Sequence, residues 1–256
     1  MLKLLGLILL LHHVKSESHI CNATKLSKTS PPGTNFDLTH WKLTIPTPNK
    51  STEIDTNSLV NGYQSQYFYT SPIDGSMSFY VPGNGGRTSN TAYPRSELRH
   101  MCNPSNDDDN WFVGNGVHEL WANIRVDKNI SAPKVIVAQI HGFKDGSNAP
   151  PLVKVEWVYE YLSLYVFVTA KDYTEPKYLL ANNIGYNAFD LNIKVNADGI
   201  LTIFVNNEEK INMDVSYFDY PCYWKQGDYL QCNQDSCYDT IHTYCLTVQN
   251  SGDCKQ

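Results

Sequence analysis

The sequence predicts an all-β domain, a sandwich or a barrel, and three observations carry the prediction. Aromatic residues supply 12% of the 256 positions, with 17 Tyr, nine Phe and five Trp. Such residues favour strands and present flat faces suited to sugars. Short apolar or alternating runs recur along the chain, each bounded by turn-forming residues. No long amphipathic helical period, internal repeat or low-complexity tract breaks the pattern, and no charge run exceeds Asp107-Asp108-Asp109.

In chain order, strands are expected at Trp41–Ile45, Gln66–Tyr69 and Ser78–Val81, all rich in aromatic or branched residues. The turn formers Pro82-Gly83-Asn84-Gly85-Gly86 close the third. Tyr93–Met101 carries charge on alternate residues, His118–Val126 alternates apolar with polar, and Lys134–His141 is apolar for most of its length. Asp145-Gly146-Ser147-Asn148 turns the chain into Leu152–Tyr159 and then Leu162–Thr169. Ile193–Val195 and Leu201–Val205 flank the turn Asn196-Ala197-Asp198-Gly199, and Asn206-Asn207 ends the second of them. Tyr223–Cys232 and Thr243–Val248 complete the set as parts of one domain.

Residues 1–18, with Lys3, the apolar run Leu4–Leu11 and small polar residues at Ser16 and Ser18, have the form of a cleaved signal peptide. Residues 19–256 are then a single secreted domain, whose formal charge moves from −6 to −7 as Lys3, Lys15 and Glu17 leave. No later run approaches the roughly 20 apolar residues a membrane span needs, so no membrane partner is expected. The acidic balance excludes a nucleic-acid partner of the usual basic kind. Yet three of the four Arg, at 87, 95 and 99, fall within 13 residues, which allows a local anion site.

Seven Cys in an exported chain predict disulfides with one thiol left over, and five of them crowd into a C-terminal segment with no paired spacing of the zinc type. Sequons at Asn22, Asn49 and Asn129 are possible glycan acceptors.

Alternation gives three strands a chemical face. Tyr93, Arg95, Glu97 and Arg99 share one side, with Leu98 on the other. Two guanidiniums and a carboxylate enter a core only when paired, so this face is either a solvated, self-pairing ladder or a site. Gln139 and His141 share a face of an otherwise apolar strand, as cleft residues or as polar groups at a fraying end. Tyr223, Lys225, Tyr229 and Gln231 align with Gly227 leaving room between them, either as an exposed aromatic face or as a groove for an anionic, ring-bearing ligand.

Together the three strands resemble polysaccharide lyase family 7, the alginate lyases, whose signatures are R-[ST]-E-L-R, Q-[IV]-H and Y-F-K-A-G-x-Y-x-Q. Arg95–Arg99 reads RSELR, Gln139–His141 reads QIH and Tyr223–Gln231 reads YWKQGDYLQ, in the family's order. The opening Phe36–Pro46 and the run Pro150–Val155 are also similar to the family's, so the resemblance spans residues 36 to 232. Trp224, Gln226 and Asp228 depart from the third signature, but on the face opposite the Tyr-Lys-Tyr-Gln set.

The resemblance implies a β-jelly-roll sandwich of two antiparallel sheets with a concave substrate groove. It also implies β-elimination on alginate, an anionic 1,4-linked polyuronate, by a monomer without cofactor or metal. Arg95 and Gln139 would neutralise the uronate carboxylate with His141 beside them, and Tyr229 would protonate the leaving oxygen. Either His141 or a tyrosinate at Tyr229, its pKa lowered by Arg95 and Lys225, would take the C5 proton. Glu97, Arg99, Tyr223, Lys225 and Gln231 would hold the sugar or orient Arg95. Ile140 goes, by family tendency, with guluronate-containing blocks. A lyase for another polyuronate such as glucuronan, and a jelly-roll lectin that binds anionic glycans without cutting them, are the competing readings. A glycoside hydrolase would need a second carboxylate facing Glu97, and the three strands offer none.

Overall fold

The computed structural model describes residues 25–89, 91–144, 149–252 and 254. The expected signal peptide and the Asn22 sequon lie outside the described residues. Among the described residues, fifteen strands form two sheets; two short helices lie before the first strand, Pro32–Asn35 (α1), and between the second and third, Thr56–Val60 (α2). One sheet holds Trp41–Ile45 (β1), Thr52–Ile54 (β2), Arg95–His100 (β5), Lys134–Gly142 (β7), Pro151–Val158 (β8), Ser163–Val168 (β9), Lys177–Ala181 (β10) and Cys222–Leu230 (β14). Its spatial order is β10-β9-β8-β7-β14-β5-β1-β2. The other holds Phe68–Thr70 (β3), Met77–Pro82 (β4), His118–Val126 (β6), Phe189–Val195 (β11), Ile200–Val205 (β12), Glu208–Asp214 (β13) and Tyr238–Asn250 (β15). Its order is β13-β12-β11-β6-β15-β4-β3. Neighbouring strands run antiparallel in both sheets. This is the expected jelly-roll sandwich.

The core forms where the apolar faces of the two sheets meet. Leu120, Ile124, Leu191, Ile193, Leu201 and Ile203 come from one sheet, and Leu43, Leu98, Ile140, Val153, Val155 and Trp224 from the other; all are fully buried. Each such side chain stabilises the fold by about 1.5–3 kcal/mol.

Three strands escape the sequence pattern: β2, β10 and β13. Each lies at the edge of its sheet. Edge strands bury little and carry polar or charged residues that deter pairing with other chains, as in the Glu208-Glu209-Lys210 start of β13, so their alternation is weak.

The Cys-rich C-terminal segment is more than a stapled tail. β15 runs 13 residues through the middle of the second sheet, between β4 and β6. Cys232–Cys237 closes the turn that leads into it, and Cys102–Cys254 ties its end to the segment after β5. Cys245 is also disulfide-bonded. Among the described residues the free thiol is Cys222, buried at the start of β14. Among the described residues no helix is long and apolar enough to cross a membrane.

Candidate active site

The outer face of β8, β7, β14, β5 and β1, five adjacent strands, carries a groove section of 520 Å³. Arg95, Gln139, His141, Tyr223, Lys225, Tyr229 and Gln231 all line it. Seven of the nine residues singled out in the sequence therefore meet in one place. The ladder explains how: Lys225 lies opposite Gln139 on one side and Arg99 on the other, while Tyr223 faces His141 and Tyr229 faces Arg95.

A bulge between Gln226 and Tyr229 shifts the register against β7 while the pairing to β5 stays regular. Gly227, at the bulge, has φ +142°, and a Cβ there would come within 2.6 Å of the Ser96 carbonyl oxygen. A side chain there would run into the β5 backbone and, at 3.1 Å, into the core ring of Phe79, so the bulge requires a glycine. On the opposite face Trp224 packs on Trp111 with ring centroids 5.3 Å apart, and the Gln226 amide donates to Thr243 Oγ1 at 2.8 Å. Trp224 and Gln226, two of the departures from the third signature, are taken up by this inner packing, whereas the buried Asp228 carboxyl has no hydrogen-bond partner among the described residues.

Glu97 and Arg99 do not line the groove. Glu97 is 1% exposed. It accepts hydrogen bonds from Gln139 Nε2 at 2.5 Å, from Arg95 Nη1 at 3.2 Å and from Lys225 Nζ. It holds the amide and both cations in place and is walled off from any sugar. The Arg99 guanidinium donates to Asp107, at 2.8 Å to its carbonyl oxygen, and stacks 4.1 Å from the centre of the Tyr223 ring. Tyr223 in turn stacks on His141 at 5.4 Å. Arg99 therefore buttresses an aromatic wall, where the sequence suggests a sugar contact or a partner for Arg95.

Protonation follows from burial and from these partners. Burial alone would raise the Glu97 carboxyl, but Lys225 and Arg95 hold it below the usual carboxylate value. Burial, with Lys225 next, pulls His141 down to about 4, so it is neutral at neutral pH. Its Nδ1–H donates to the Gly142 carbonyl at 2.7 Å, which leaves the lone pair on Nε2. Burial takes Lys225 down to about 8 against the pull of Glu97. Tyr229 shifts opposite to the sequence expectation: burial raises its phenol, and Arg95 only partly offsets this. Its phenol stays protonated in this site, and a tyrosinate is disfavoured.

Lys154 of β8 also lines the groove, opposite Gln139 in the ladder and paired to Glu175 at 2.8 Å. Its strand reads as core-forming, and only the pairing to β7 brings it to the site. A second constellation, Ser78 with His242 Nδ1 at 2.9 Å and His242 Nε2 with Asp127 at 3.1 Å, has the order of a hydrolytic triad. Ser78 is fully buried, so this is a packing network. Among the described residues no group of three or more His, Cys, Asp or Glu could hold a metal ion.

A jelly-roll groove that sets two cations and an amide beside a neutral imidazole and a protonated phenol defines a polysaccharide lyase. The alginate lyase family model matches residues 36–250. Among solved structures, alginate lyase A1-II′, a member of polysaccharide lyase family 7, is 36% identical with TM-score 0.78, over 87% of this chain and 100% of that one. Variants of that enzyme are solved with a product written GGG and a substrate written GGMG. Alginate lyase PA1167 from Pseudomonas aeruginosa is 29% identical with TM-score 0.74, over 84% of this chain and 100% of that one. No curated protein sequence matches. The chain belongs to the alginate lyase family, polysaccharide lyase family 7.

Proposed function

We propose that this protein cleaves alginate by β-elimination and prefers guluronate-containing blocks. The observation that carries the reading is the single groove in which Arg95, Gln139 and Lys225 stand beside the free Nε2 of His141 and the phenol of Tyr229. Removing the proton at C5 of a uronate builds negative charge onto its carboxylate. Cations and amide N–H groups aimed at that carboxylate stabilise the developing dianion. Arg95 has only Nη1 engaged by Glu97, and Gln139 and Lys225 complete the cradle.

His141 Nε2 takes the C5 proton, the C5–H electrons form the C4=C5 double bond, and the bond from C4 to the glycosidic oxygen breaks. Tyr229 donates its phenolic proton to that oxygen. The resulting tyrosinate and imidazolium are restored by proton exchange with solvent.

The protonation states favour guluronate. In that residue the C5 proton and the 4-oxygen lie on opposite faces of the ring, so base and acid must be two different groups. A neutral His141 and a protonated Tyr229 meet that need. Ile140 lies in the core, so it acts on the sugar only through its neighbours.

The leader-like residues 1–18 support secretion, and the disulfides suit an oxidising compartment. Exposed Asn49 and Asn129 suit glycan acceptors.

The test is ultraviolet absorbance against time on polyguluronate, polymannuronate, mixed alginate and glucuronan, because elimination leaves a conjugated double bond that hydrolysis does not. The fastest rise is expected on polyguluronate. A response to glucuronan alone would overturn the substrate, and retention of alginate with no rise would make the protein a lectin.

A further inference from the structure

Beyond His141 the groove continues into a second section of 620 Å³, which shares His141, Thr91 and Pro151 with the first. Its character differs. The first section contains Arg95, Lys154 and Lys225, whereas among the described residues no Lys or Arg lines the second. Tyr173 and Tyr220 form its outer wall.

Tyr173 has two features that packing does not call for. It is 58% exposed. Its φ is +63°, a left-handed conformation that a bulky L-residue adopts only where its surroundings hold it. Tyr220, which lines the same section, packs its own ring on Phe218 at 5.5 Å. The turn that presents it is itself pinned: Tyr173 N–H donates to the Ala170 carbonyl at 2.9 Å, Ala170 N–H to Thr174 O at 2.8 Å, and the Asp172 carboxylate accepts from Thr174. A large aromatic face is thus fixed outward, in an unfavourable backbone conformation, at the rim of the groove.

Resting on the lyase reading above, we infer that Tyr173, with Tyr220, is a distal subsite that stacks on the ring face of a uronate residue further along the same polysaccharide chain. With no Lys or Arg among the described residues lining this section, recognition is of the ring and its C–H groups, and the carboxylate stays in water. The groove then reads a polyuronate in two ways: charge at the reacting residue, and apolar stacking at a distance from it. Tyr173 specifies chain length and takes no part in the chemistry.

The test compares kcat/KM for the wild type, Tyr173→Ala and Tyr173→Phe on a ladder of alginate oligomers and on the polymer. The ratio of wild type to Tyr173→Ala is expected to grow about tenfold from the shortest oligomer cleaved to the polymer, mainly through KM. Tyr173→Phe, which keeps the ring, is expected to restore most of the difference. A ratio that is flat with length, in an active wild type, would overturn the subsite and leave the lyase reading intact. Failure of the Phe variant to restore the difference would overturn stacking. A wild type that forms no double bonds on any alginate would overturn the lyase reading itself.

Discussion

The guanidinium of Arg95 lies 3.8 Å from the centroid of the Tyr229 ring, its register partner across the β5–β14 ladder. The residue proposed to bind the uronate carboxylate is thereby stacked on the residue proposed to protonate the leaving oxygen. A cation over an aromatic face is attracted by the ring quadrupole, so each holds the other in place.

Tyr229→Phe retains that platform and removes only the transferable proton. Its KM for alginate should stay near the wild-type value while kcat falls by about 10²- to 10⁴-fold. Tyr229→Ala should lower kcat and raise KM as well, because Arg95 loses its support. Steady-state kinetics separate the two, and a Phe variant with weak binding but substantial turnover would remove Tyr229 from the acid role.

Glu97→Gln should damage the fold as well as the site. The carboxylate is buried between Lys225 and Arg95, so neutralising it leaves two cations short of their partner. Breaking one side of a buried ion cluster costs about 3–5 kcal/mol. Urea denaturation at pH 7 reads this directly, and a loss under about 1 kcal/mol would mean that the cations are compensated elsewhere.

The rate profile should be wide on the acid side and cut on the alkaline side. His141 must be neutral to accept a proton, and with its pKa near 4 it stays neutral well below the usual histidine range. Lys225, at about 8, loses its charge above that pH and weakens the cradle. The kcat/KM of the free enzyme should therefore fall below about pH 4 and above about pH 8. An acid limb near the ordinary histidine value would show that His141 is solvated or is not the base.

Asp228→Asn should stabilise the protein at neutral pH. Both Asp228 side-chain oxygens are buried without a hydrogen-bond partner among the described residues, and burial, followed by Asp239, raises its carboxyl well above 3.8. The folded chain thus keeps a proton that the unfolded chain releases, so stability is lost as pH rises above 3.8 toward the raised value. Removing the group recovers about 1.4 kcal/mol per pH unit in that window. Denaturation at pH 4.5 and pH 7.5 should show a gain that grows with pH, and a loss at both would assign Asp228 a stabilising contact instead.

The functional strands were legible because their alternation is strict. Arg95, Glu97 and Arg99 fall two apart, as do Gln139 with His141 and Tyr223 with Lys225, and the structure turns these sets outward from one sheet. Lys154 and Tyr173 were not legible as site residues. Lys154 sits in a strand that otherwise builds core, and Tyr173 on a turn; pairing of β8 with β7 places the first, and the connection from β9 to β10 places the second.

Which side chains share a face follows from residue order alone, because the two-residue period of a strand is a property of the local backbone. From that follow the β-rich fold, the three chemical faces and the family signatures they carry. What each face meets is set by packing between segments distant along the chain. Residues 95–99 and 225–229 are far apart along the chain, and their register sets Glu97 under Lys225 and Arg95, away from any sugar. Burial, which exists only once the sheets are packed, then keeps His141 neutral and Tyr229 protonated. Strand order and desolvation are long-range outcomes of packing, and local alternation does not contain them.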